Sequence, residues 1–409
     1  MPFARLALFA AGDFGFNLFW QSTMLYLLFF YTEALAIPAA TAGTIFLVAS
    51  AWDGIASFAA GVAVDRGRWA GRYGRVLAWG AVPLGISFAL VYVPVRGGML
   101  ALAWALATQL LFRTAYAAIN VPYTAMSARV SLASADRATV AGLRMLAGTL
   151  AAVAVAGGTV PVGRLFGGEG AAIYRDAALV FAAAGAALIA LVGATFRDRA
   201  PVMSAARPPT GRTIAALARN RGYGRLMAGM AAMIVAVTLV DRSVLYYFKY
   251  VLGDEGAGRL TLATMAAVSG LAVPAWMLLA RRVGTRRVWL AAVAACCAGL
   301  LLFVLVDVPR VRATQGFLIA MHAAIVGLHF SFWAMLPDTL DGEAAQGGQA
   351  VAFGLAALVQ RVAIGAATAL LGLGLEGAAP DTAALRATIG VMPLVFFLLA
   401  GAALVRRPR

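Results

Sequence analysis

Asp53 is a carboxylate in the middle of an otherwise apolar stretch, and its position points more clearly to a functional role than that of any other residue in this chain. The stretch ends about 12 residues later at Asp65-Arg66, so a helix would place Asp53 roughly 18 Å from that end. A charged side chain that faced hydrocarbon would cost about 2.5–3.5 kcal/mol or more, so such residues usually line a substrate or ion path. We therefore expect Asp53 to bind an ion or a solute.

Further polar side chains lie inside apolar stretches, several of them at helical spacing. The groups that share a helix face are Asp13, Asn17, Trp20 and Gln21, then Ser50, Asp53 and Ser57, then Arg113, Tyr116, Asn120 and Thr124. The remaining ones are Arg144, Asp241, Arg242, Lys249, His322, His329, Gln360 and Arg361. We expect these side chains to point into a cavity and to pair with one another, because lipid would not stabilise them.

Several of these residues have a structural interpretation beside the functional one. Asp13 could simply hold the first helix to Arg144, and Arg113 could be a buried partner for Asp53. Trp20 could stack on a sugar ring or could be a packing residue. His322 and His329 lie seven residues apart on one helix face, where a histidine is either a proton carrier or a hydrogen-bonded packing residue.

The composition identifies an integral membrane protein. Hydrophobic residues make up 63% of the 409-residue chain, charged residues 12%, and the mean hydropathy is +0.87. A net charge of +16 would suggest nucleic acid for a soluble protein. Here the arginines cluster in short segments between apolar stretches, which is the pattern that sets membrane orientation. We expect a lipid bilayer and a small-molecule substrate as partners, and no nucleic acid.

Twelve hydrophobic stretches are long enough to span about 30 Å of hydrocarbon. We predict them at 5–31, 38–64, 76–95, 99–125, 138–163, 175–196, 226–251, 257–280, 288–306, 313–337, 350–374 and 384–405. The first is too long for the apolar core of a cleavable signal peptide, so we expect it to be retained. Arginine-rich segments on alternate sides place both termini in the cytoplasm of a bacterial inner membrane.

The predicted fold class is an all-α membrane protein with two pseudo-symmetric six-helix bundles. The polar segment 197–225 divides the chain into an N-terminal bundle (1–196) and a C-terminal bundle (226–409), with the segment itself as a cytoplasmic linker. The arginine–glycine turn at 71–75 has a counterpart at 281–287, which indicates a weak internal repeat. Repeats of this kind are typical of alternating-access transporters. We expect a monomer.

Several blocks of sequence resemble the glycoside–pentoside–hexuronide:cation symporters, the melibiose permease group of the major facilitator superfamily. They are Phe30-Tyr31-Thr32-Glu33, Trp52-Asp53, Asp65-Arg66 through Gly74-Arg75, Trp79 through Leu84, Asn120-Val121-Pro122-Tyr123, Asp136-Arg137 with Arg144, and Tyr246 through Gly253. The resemblance covers most of both halves and is more specific in the first. It implies the major facilitator fold and a symporter.

The resemblance also implies roles for individual residues. Asp53 matches the first acid of the family's helix-two cation motif, whereas Ser57 stands at the second acid and Asn120 at an acid on helix four. Asn17 and Arg144 match residues that bind sugar in the family. Arg361 approximates a helix-eleven lysine, and His329 takes the place of an aromatic residue near the sugar.

The predicted sites follow from these patterns together. The substrate-binding residues are Asp13, Asn17, Trp20, Asn120, Arg144, His329 and Arg361; the coupling residues are Asp53, Ser57 and Asn120; and a conformational latch consists of Asp65, Arg66 and Arg75. A sodium ion would have one full anion at Asp53, whereas a proton needs only one carboxylate. We therefore expect proton coupling rather than sodium coupling, no cofactor and no metal site.

The predicted function is secondary active transport of a glycoside or a related organic solute by alternating access. Lipid-like or drug-like cargo is the alternative within transport, and a non-transporting sensor is a further one because Ser57 replaces the second acid. The sequence shows no nucleophile–base pair, no metal-ligand spacing and no phosphate-binding loop. An enzyme is therefore not expected.

Overall fold

The computed structural model describes residues 2–65, 72–127, 134–196, 210–306, 310–340, 349–378 and 382–405. Within these ranges the regular secondary structure is helical, and no strand occurs. The helices of ten or more residues are α1 (Phe3–Leu25), α2 (Ala39–Asp65), α3 (Tyr73–Val91), α4 (Gly98–Ser127), α5 (Ser134–Leu165), α6 (Ala171–Thr195), α7 (Thr210–Arg219), α8 (Arg221–Tyr250), α9 (Glu255–Val283), α10 (Thr285–Leu305), α11 (Val311–Met335), α12 (Gln349–Ala378) and α13 (Thr382–Val405). Shorter helical segments are Leu27–Phe29, the π-helical turn Phe30–Ala34 and the 3-10 turn Pro337–Thr339.

Each predicted hydrophobic stretch coincides with one of the long helices, with ends that differ by a few residues. In the described part of the chain, ten helices are long and apolar enough to cross a membrane, namely α2 to α6 and α8 to α12. α13 contributes a shorter apolar helix, 389–404. α1, which carries Asp13, Asn17 and Gln21, is not among the ten. The all-helical membrane fold is thus confirmed, and the number twelve stays a prediction.

The chain divides into two compact units. The first unit contains Met1–Pro38 and Val48–Met203, and the second contains Ala39–Leu47 and Ser204–Arg409. α2 is therefore shared, since its first nine residues group with the second unit. The predicted boundaries at 196 and 226 stay predictions. Of the predicted linker the structure describes 210–225, which consists of α7, Asn220 and the start of α8. The Asn220 side chain caps α8 by accepting a hydrogen bond from the Tyr223 backbone N–H (2.9 Å).

Four pairs of neighbouring helices correspond between the two units. In the first unit α1 packs on α5 and α6, and α3 packs on α4 and α6. In the second unit α8 packs on α12 and α13, and α10 packs on α11 and α13. These are corresponding pairs when the six long helices of each half are numbered in order. The packing within each unit therefore follows the internal repeat that the arginine–glycine turns predict.

Small residues bring α1 close to its neighbours. A Cβ atom added to Gly15 would lie 2.9 Å from the carbonyl oxygen of Gly185 on α6. The backbones of α1 and α6 can therefore approach this closely only because Gly15 has no side chain. A Cβ atom added to Gly12 would lie 2.9 Å from the ring of Tyr123 on α4. Close backbone approach through small residues is the usual packing mode of membrane helices, where burial from water supplies little driving force. It places the polar side chains of α1 against α4 and α5.

Candidate functional site

The first unit holds a fully buried ion pair between α2 and α4. Arg113 Nη1 donates a hydrogen bond to Asp53 Oδ2 at 3.0 Å, and the exposed fractions of the two side chains are 1% and 0%. Arg113 is thus the partner of Asp53, as one of the two sequence interpretations proposed. Two opposite charges inside a low-dielectric interior stabilise each other, but each has lost its hydration, so the pair depends on both members being present.

Two tryptophans lie near this pair. The guanidinium of Arg113 lies 5.4 Å from the ring centroid of Trp20 on α1, a cation–π arrangement. One residue from Asp53, Trp52 donates its indole N–H to Thr114 Oγ1 at 2.8 Å and so ties α2 to α4 beside the pair. Trp20, predicted to bind substrate, is half-buried and contacts the ion pair. Ser57, one turn beyond Asp53, is also half-buried.

A second ion pair joins α1 to α5. The carboxylate of Asp13 accepts hydrogen bonds from Arg144 at both oxygens, Nε to Oδ2 and Nη2 to Oδ1, the latter at 3.3 Å. The exposed fractions are 12% for the Asp13 side chain and 22% for Arg144. A fork of two parallel N–H donors is the geometry in which guanidinium binds carboxylates and neighbouring hydroxyls. This pair is partly accessible, in contrast to Asp53–Arg113.

Tyr123 completes this second cluster, although it was not predicted as a site residue. Its hydroxyl oxygen lies 3.0 Å from Asp13 Oδ2 and 2.9 Å from the carbonyl oxygen of Phe9, so one proton serves two acceptors. Its ring lies 5.1 Å from the Arg144 guanidinium carbon. The signal that could have identified it is its spacing of seven residues from Tyr116, which places both on one face of α4.

Asn17 lies next to the Asp13–Arg144 pair. Its side-chain amide donates to the backbone carbonyl of Asp13 at 2.9 Å. A Cβ atom at Gly148 on α5 would be 3.4 Å from that amide nitrogen, so the amide sits between the two helices. The structure therefore brings three predicted substrate-binding residues together in the first unit: Asp13, Asn17 and Arg144.

The other predicted residues are more dispersed. Asn120 is half-buried on α4, and Arg361 is half-buried on α12 of the second unit. His329 Nδ1 lies 3.3 Å from the carbonyl oxygen of Ile325 in its own helix. Of the predicted latch, Arg75 is exposed in the first turn of α3, while Arg66 and the Asp65 side chain lie outside the described residues. The roles predicted for these residues stay predictions.

Comparison with known proteins shows the family. Residues 8–408 match the family described as MFS/sugar transport protein, and the chain belongs to it. It is 26% identical to the glucuronide carrier protein homolog of Escherichia coli (strain K12) over 415 residues, covering 96% of this chain and 89% of that protein. It is 27% identical to the putative glycoside/cation symporter YagG of the same strain, but that match covers 60% of this chain and 54% of the relative.

The fold matches solved transporters. A bacterial homolog of the human lysosomal transporter Spinster, in an inward-facing and occupied conformation, aligns with a TM-score of 0.75, covering 98% of this chain and 95% of that one, at 12% identity. Together with the family match over residues 8–408, this likeness shows the major facilitator fold. Because the family and the relatives are transporters, the expectation that the protein is not an enzyme is confirmed. The family also supports a multi-pass protein of the bacterial inner membrane, with small-molecule substrate and lipid as partners.

Proposed function

We propose that this protein is a secondary active transporter that moves a glycoside or a related hydroxylated solute by alternating access, with a proton as the coupled ion. The observation that carries the proposal is the match to the MFS/sugar transport family over residues 8–408. The Asp13–Arg144–Tyr123 cluster supports it, because it gathers a carboxylate, a guanidinium and a hydroxyl in one partly accessible place. A solute rich in hydroxyl groups requires such donors and acceptors.

The cluster suggests how a hydroxylated solute would bind. Arg144 has N–H groups beyond the two used on Asp13, and 22% of its side chain is accessible. Vicinal hydroxyls of a sugar could accept from this guanidinium and donate to Asp13 while the ion pair itself stays intact. Asn17 and Tyr123 would position the pair, Asn17 through the Asp13 carbonyl and Tyr123 through the carboxylate. We propose Asp13 and Arg144 as the groups that touch substrate.

We assign proton coupling to Asp53 and propose Ser57, four residues beyond it on α2, and Asn120, seven residues beyond Arg113 on α4, as further coupling residues. In the structure Asp53 accepts a hydrogen bond from Arg113, so a proton must compete with the guanidinium for the carboxylate. The competition provides a switch: protonated Asp53 would release Arg113, and ionised Asp53 would bind it again. Alternating access can use the two arrangements if each is favoured in a different conformation.

Uptake into proteoliposomes tests this function. The purified protein would be given a radiolabelled glucuronide and a radiolabelled neutral glycoside, with an inward proton gradient, with a sodium gradient, or with neither. We expect accumulation of at least one of them with the proton gradient and little change with sodium. Strong sodium stimulation would contradict the choice of ion, and no uptake of either glycoside would contradict the substrate class.

Asp53→Asn separates binding from coupling. This variant should be less stable, because Arg113 loses its opposite charge. The folded protein should retain exchange of internal for external substrate, because Asp13 and Arg144 are unchanged, and should lose accumulation driven by the proton gradient. The measurement is counterflow alongside gradient-driven uptake in the same vesicles. Full concentrative uptake by the variant would show that the proton binds elsewhere. Asp176→Asn, which changes a carboxylate paired with Arg175 on α6, serves as a control.

We further propose that both termini and the 197–225 segment face the cytoplasm and that the protein acts as a monomer without nucleic acid. The arginine asymmetry supports the orientation. Reporter fusions placed after Arg225 and after Arg409 should both give the cytoplasmic signal, and a periplasmic signal at either site would reverse the assignment. Native mass spectrometry would give the oligomeric state.

A further inference from the structure

Gln109 is a buried amide in the first unit that has no role in the transport proposed above. It lies on α4, four residues before Arg113, and its exposed fraction is 0%. Neither its amide nitrogen nor its amide oxygen has a partner at hydrogen-bond distance and angle among the residues that the structure describes. A buried amide without hydrogen bonds has lost its contacts with water and gained none, which is unfavourable. Gln109 therefore requires a physical explanation.

The surroundings of Gln109 include two further buried polar groups. The hydroxyl of Tyr31 has Gln109 and Arg113 among its electrostatic neighbours, and it lies 3.4 Å from the carbonyl oxygen of Ala105. The exposed fractions are 0% for Tyr31 and 1% for Arg113. The amide, the hydroxyl and the guanidinium thus share one interior region of the first unit.

Gln109 is within reach of the Arg113 side chain. Residues four apart on a helix are surface neighbours, with Cβ atoms about 5–6 Å apart. Each Cα–Cβ bond also tilts toward the helix N-terminus, so the Arg113 side chain leans over the turn that carries Gln109. A guanidinium has five N–H donors, and the hydrogen bond to Asp53 comes from Nη1. A rotation of the side chain would therefore bring an N–H group to Gln109 Oε1 without movement of α2 or α4.

A neutral polar side chain also lies beside Asp53. Ser50 is three residues before it on α2 and is 0% exposed, and in the described part of the chain its hydroxyl has no hydrogen-bond partner. Positions three apart share a helix face. Each member of the closed pair is thus preceded by about one helical turn by a buried neutral group that the ion pair leaves unused.

The Asp13–Arg144 pair differs in this respect. Its polar neighbours are hydrogen-bonded, because the Asn17 amide donates to the Asp13 carbonyl at 2.9 Å and the Tyr123 hydroxyl lies 3.0 Å from Asp13 Oδ2. One arrangement satisfies that cluster. Around Asp53 and Arg113 the ion pair alone does not satisfy the neighbouring polar groups, which indicates a second arrangement that uses them.

We propose that Gln109 is a positioning residue whose Oε1 accepts the Arg113 guanidinium when Asp53 is neutral. An ionised carboxylate forms a stronger hydrogen bond than a neutral amide, so Arg113 stays with Asp53 while that residue is charged. Once Asp53 is neutral, the guanidinium would be left in a closed interior without a strong acceptor, and Gln109 supplies one. The two arrangements are those that the proposed function assigns to Asp53, and the coupling role of Gln109 rests on that function.

A double-variant cycle in thermal unfolding tests the contact without transport. Gln109→Met removes both polar atoms and keeps the length of the side chain. It should change the Tm of the wild type little, because the amide makes no hydrogen bond there. In the Asp53→Asn background the same substitution should lower the Tm by roughly 2–4 °C more, as expected for one lost hydrogen bond in a large domain. An equal effect in both backgrounds would overturn the proposal.

Thr108→Val provides the matched control on the same helix. Thr108 is buried, and its hydroxyl donates to the carbonyl oxygen of Trp104 at 2.7 Å within α4. The effect of this substitution should be the same in wild type and in Asp53→Asn. A background-dependent effect would show that α4 as a whole is altered, and the assignment to Gln109 would then be wrong.

Moving the carboxylate tests the reach of Arg113 directly. In Asp53→Asn combined with Gln109→Glu, the guanidinium can pair with a carboxylate one turn before it on its own helix. Most of the Tm lost in Asp53→Asn should return. If Asp53→Asn alone does not fold, the double variant should still fold. No recovery would show that Arg113 does not reach position 109 and would overturn the proposal.

The coupling role is measured separately. At one fixed neutral external pH, proton-driven glycoside uptake should be about tenfold slower in Gln109→Met than in Thr108→Val, because the state with neutral Asp53 loses a charged hydrogen bond. Equal rates would remove Gln109 from coupling. If the wild type transports no glycoside, the proposed function fails, while the unfolding measurements still decide whether Gln109 accepts Arg113.

Discussion

Two of the aspartate–arginine pairs in the described part of the first unit, Asp53–Arg113 and Asp13–Arg144, differ in how much water reaches them. Asp53–Arg113 has exposed fractions of 0% and 1%, and one hydrogen bond of 3.0 Å joins the two groups. Asp13–Arg144 has exposed fractions of 12% and 22%, and Arg144 donates from two nitrogens while Tyr123 contributes a third contact. The same two residue types thus occur in a closed environment and in a partly open one.

The difference indicates what each pair can do. A fully buried pair responds strongly to loss of either charge, since the remaining ion loses its opposite charge in an interior that water does not reach. It is therefore suited to a switch in which a proton neutralises one member. A partly accessible pair can exchange some of its contacts for those of a solute. We accordingly assign coupling to the closed pair and substrate binding to the open one.

The largest expected effect comes from removing an arginine from each pair. Arg113→Met should destabilise the protein by about 3–5 kcal/mol, because ionised Asp53 is left in a closed interior. Arg144→Met should cost only about 1–3 kcal/mol, because Asp13 keeps the Tyr123 hydroxyl and some water. Thermal unfolding of both variants in the same detergent measures the difference. Equal losses would remove the distinction between the two environments.

A double variant sharpens this result. Asp53→Leu combined with Arg113→Met removes both charges of the closed pair, so neither ion remains stranded. Most of the stability lost in Arg113→Met alone should return. If the double variant is as unstable as the single one, the loss in Arg113→Met comes from packing around Trp20 and not from the missing charge opposite Asp53.

A smaller effect is expected for Arg144→Lys. Lysine keeps the positive charge beside Asp13 but loses the planar fork. The variant should fold with nearly wild-type stability and bind a transported glycoside about tenfold more weakly, as expected for loss of a charged hydrogen bond of about 1.4 kcal/mol. Isothermal titration calorimetry measures the affinity. Unchanged affinity would rule out direct contact between Arg144 and substrate.

The smallest effect is expected for Tyr123→Phe. The ring would still lie beside Arg144, while the hydroxyl that serves Asp13 and Phe9 would be lost. We expect a loss of about 0.5–1.5 kcal/mol in stability. The decrease in glycoside affinity should be smaller than the decrease expected for Arg144→Lys. A drop larger than that of Arg144→Lys would make Tyr123 a substrate-contacting residue instead of a positioning residue.

The fold was largely predictable because a membrane constrains each segment locally. A stretch within lipid must satisfy its backbone groups internally, so an apolar run such as 175–196 becomes a helix such as Ala171–Thr195 whatever its neighbours are. The faces of these helices were also predictable, since spacing alone places Asp13 above Asn17. The candidate residues could therefore be found before their contacts were known.

The sequence by itself determined the apolar segments, their helical faces and the rare charges that lie within them. The tertiary structure decided which charges meet: Asp53 with Arg113, Asp13 with Arg144 and Tyr123, and Asp241 with His322. It also decided that the first nine residues of α2 group with the second unit. The physical reason is that periodicity sets the direction of a side chain on its own helix, whereas its partner depends on how neighbouring helices rotate and how closely residues such as Gly12 and Gly15 allow them to approach.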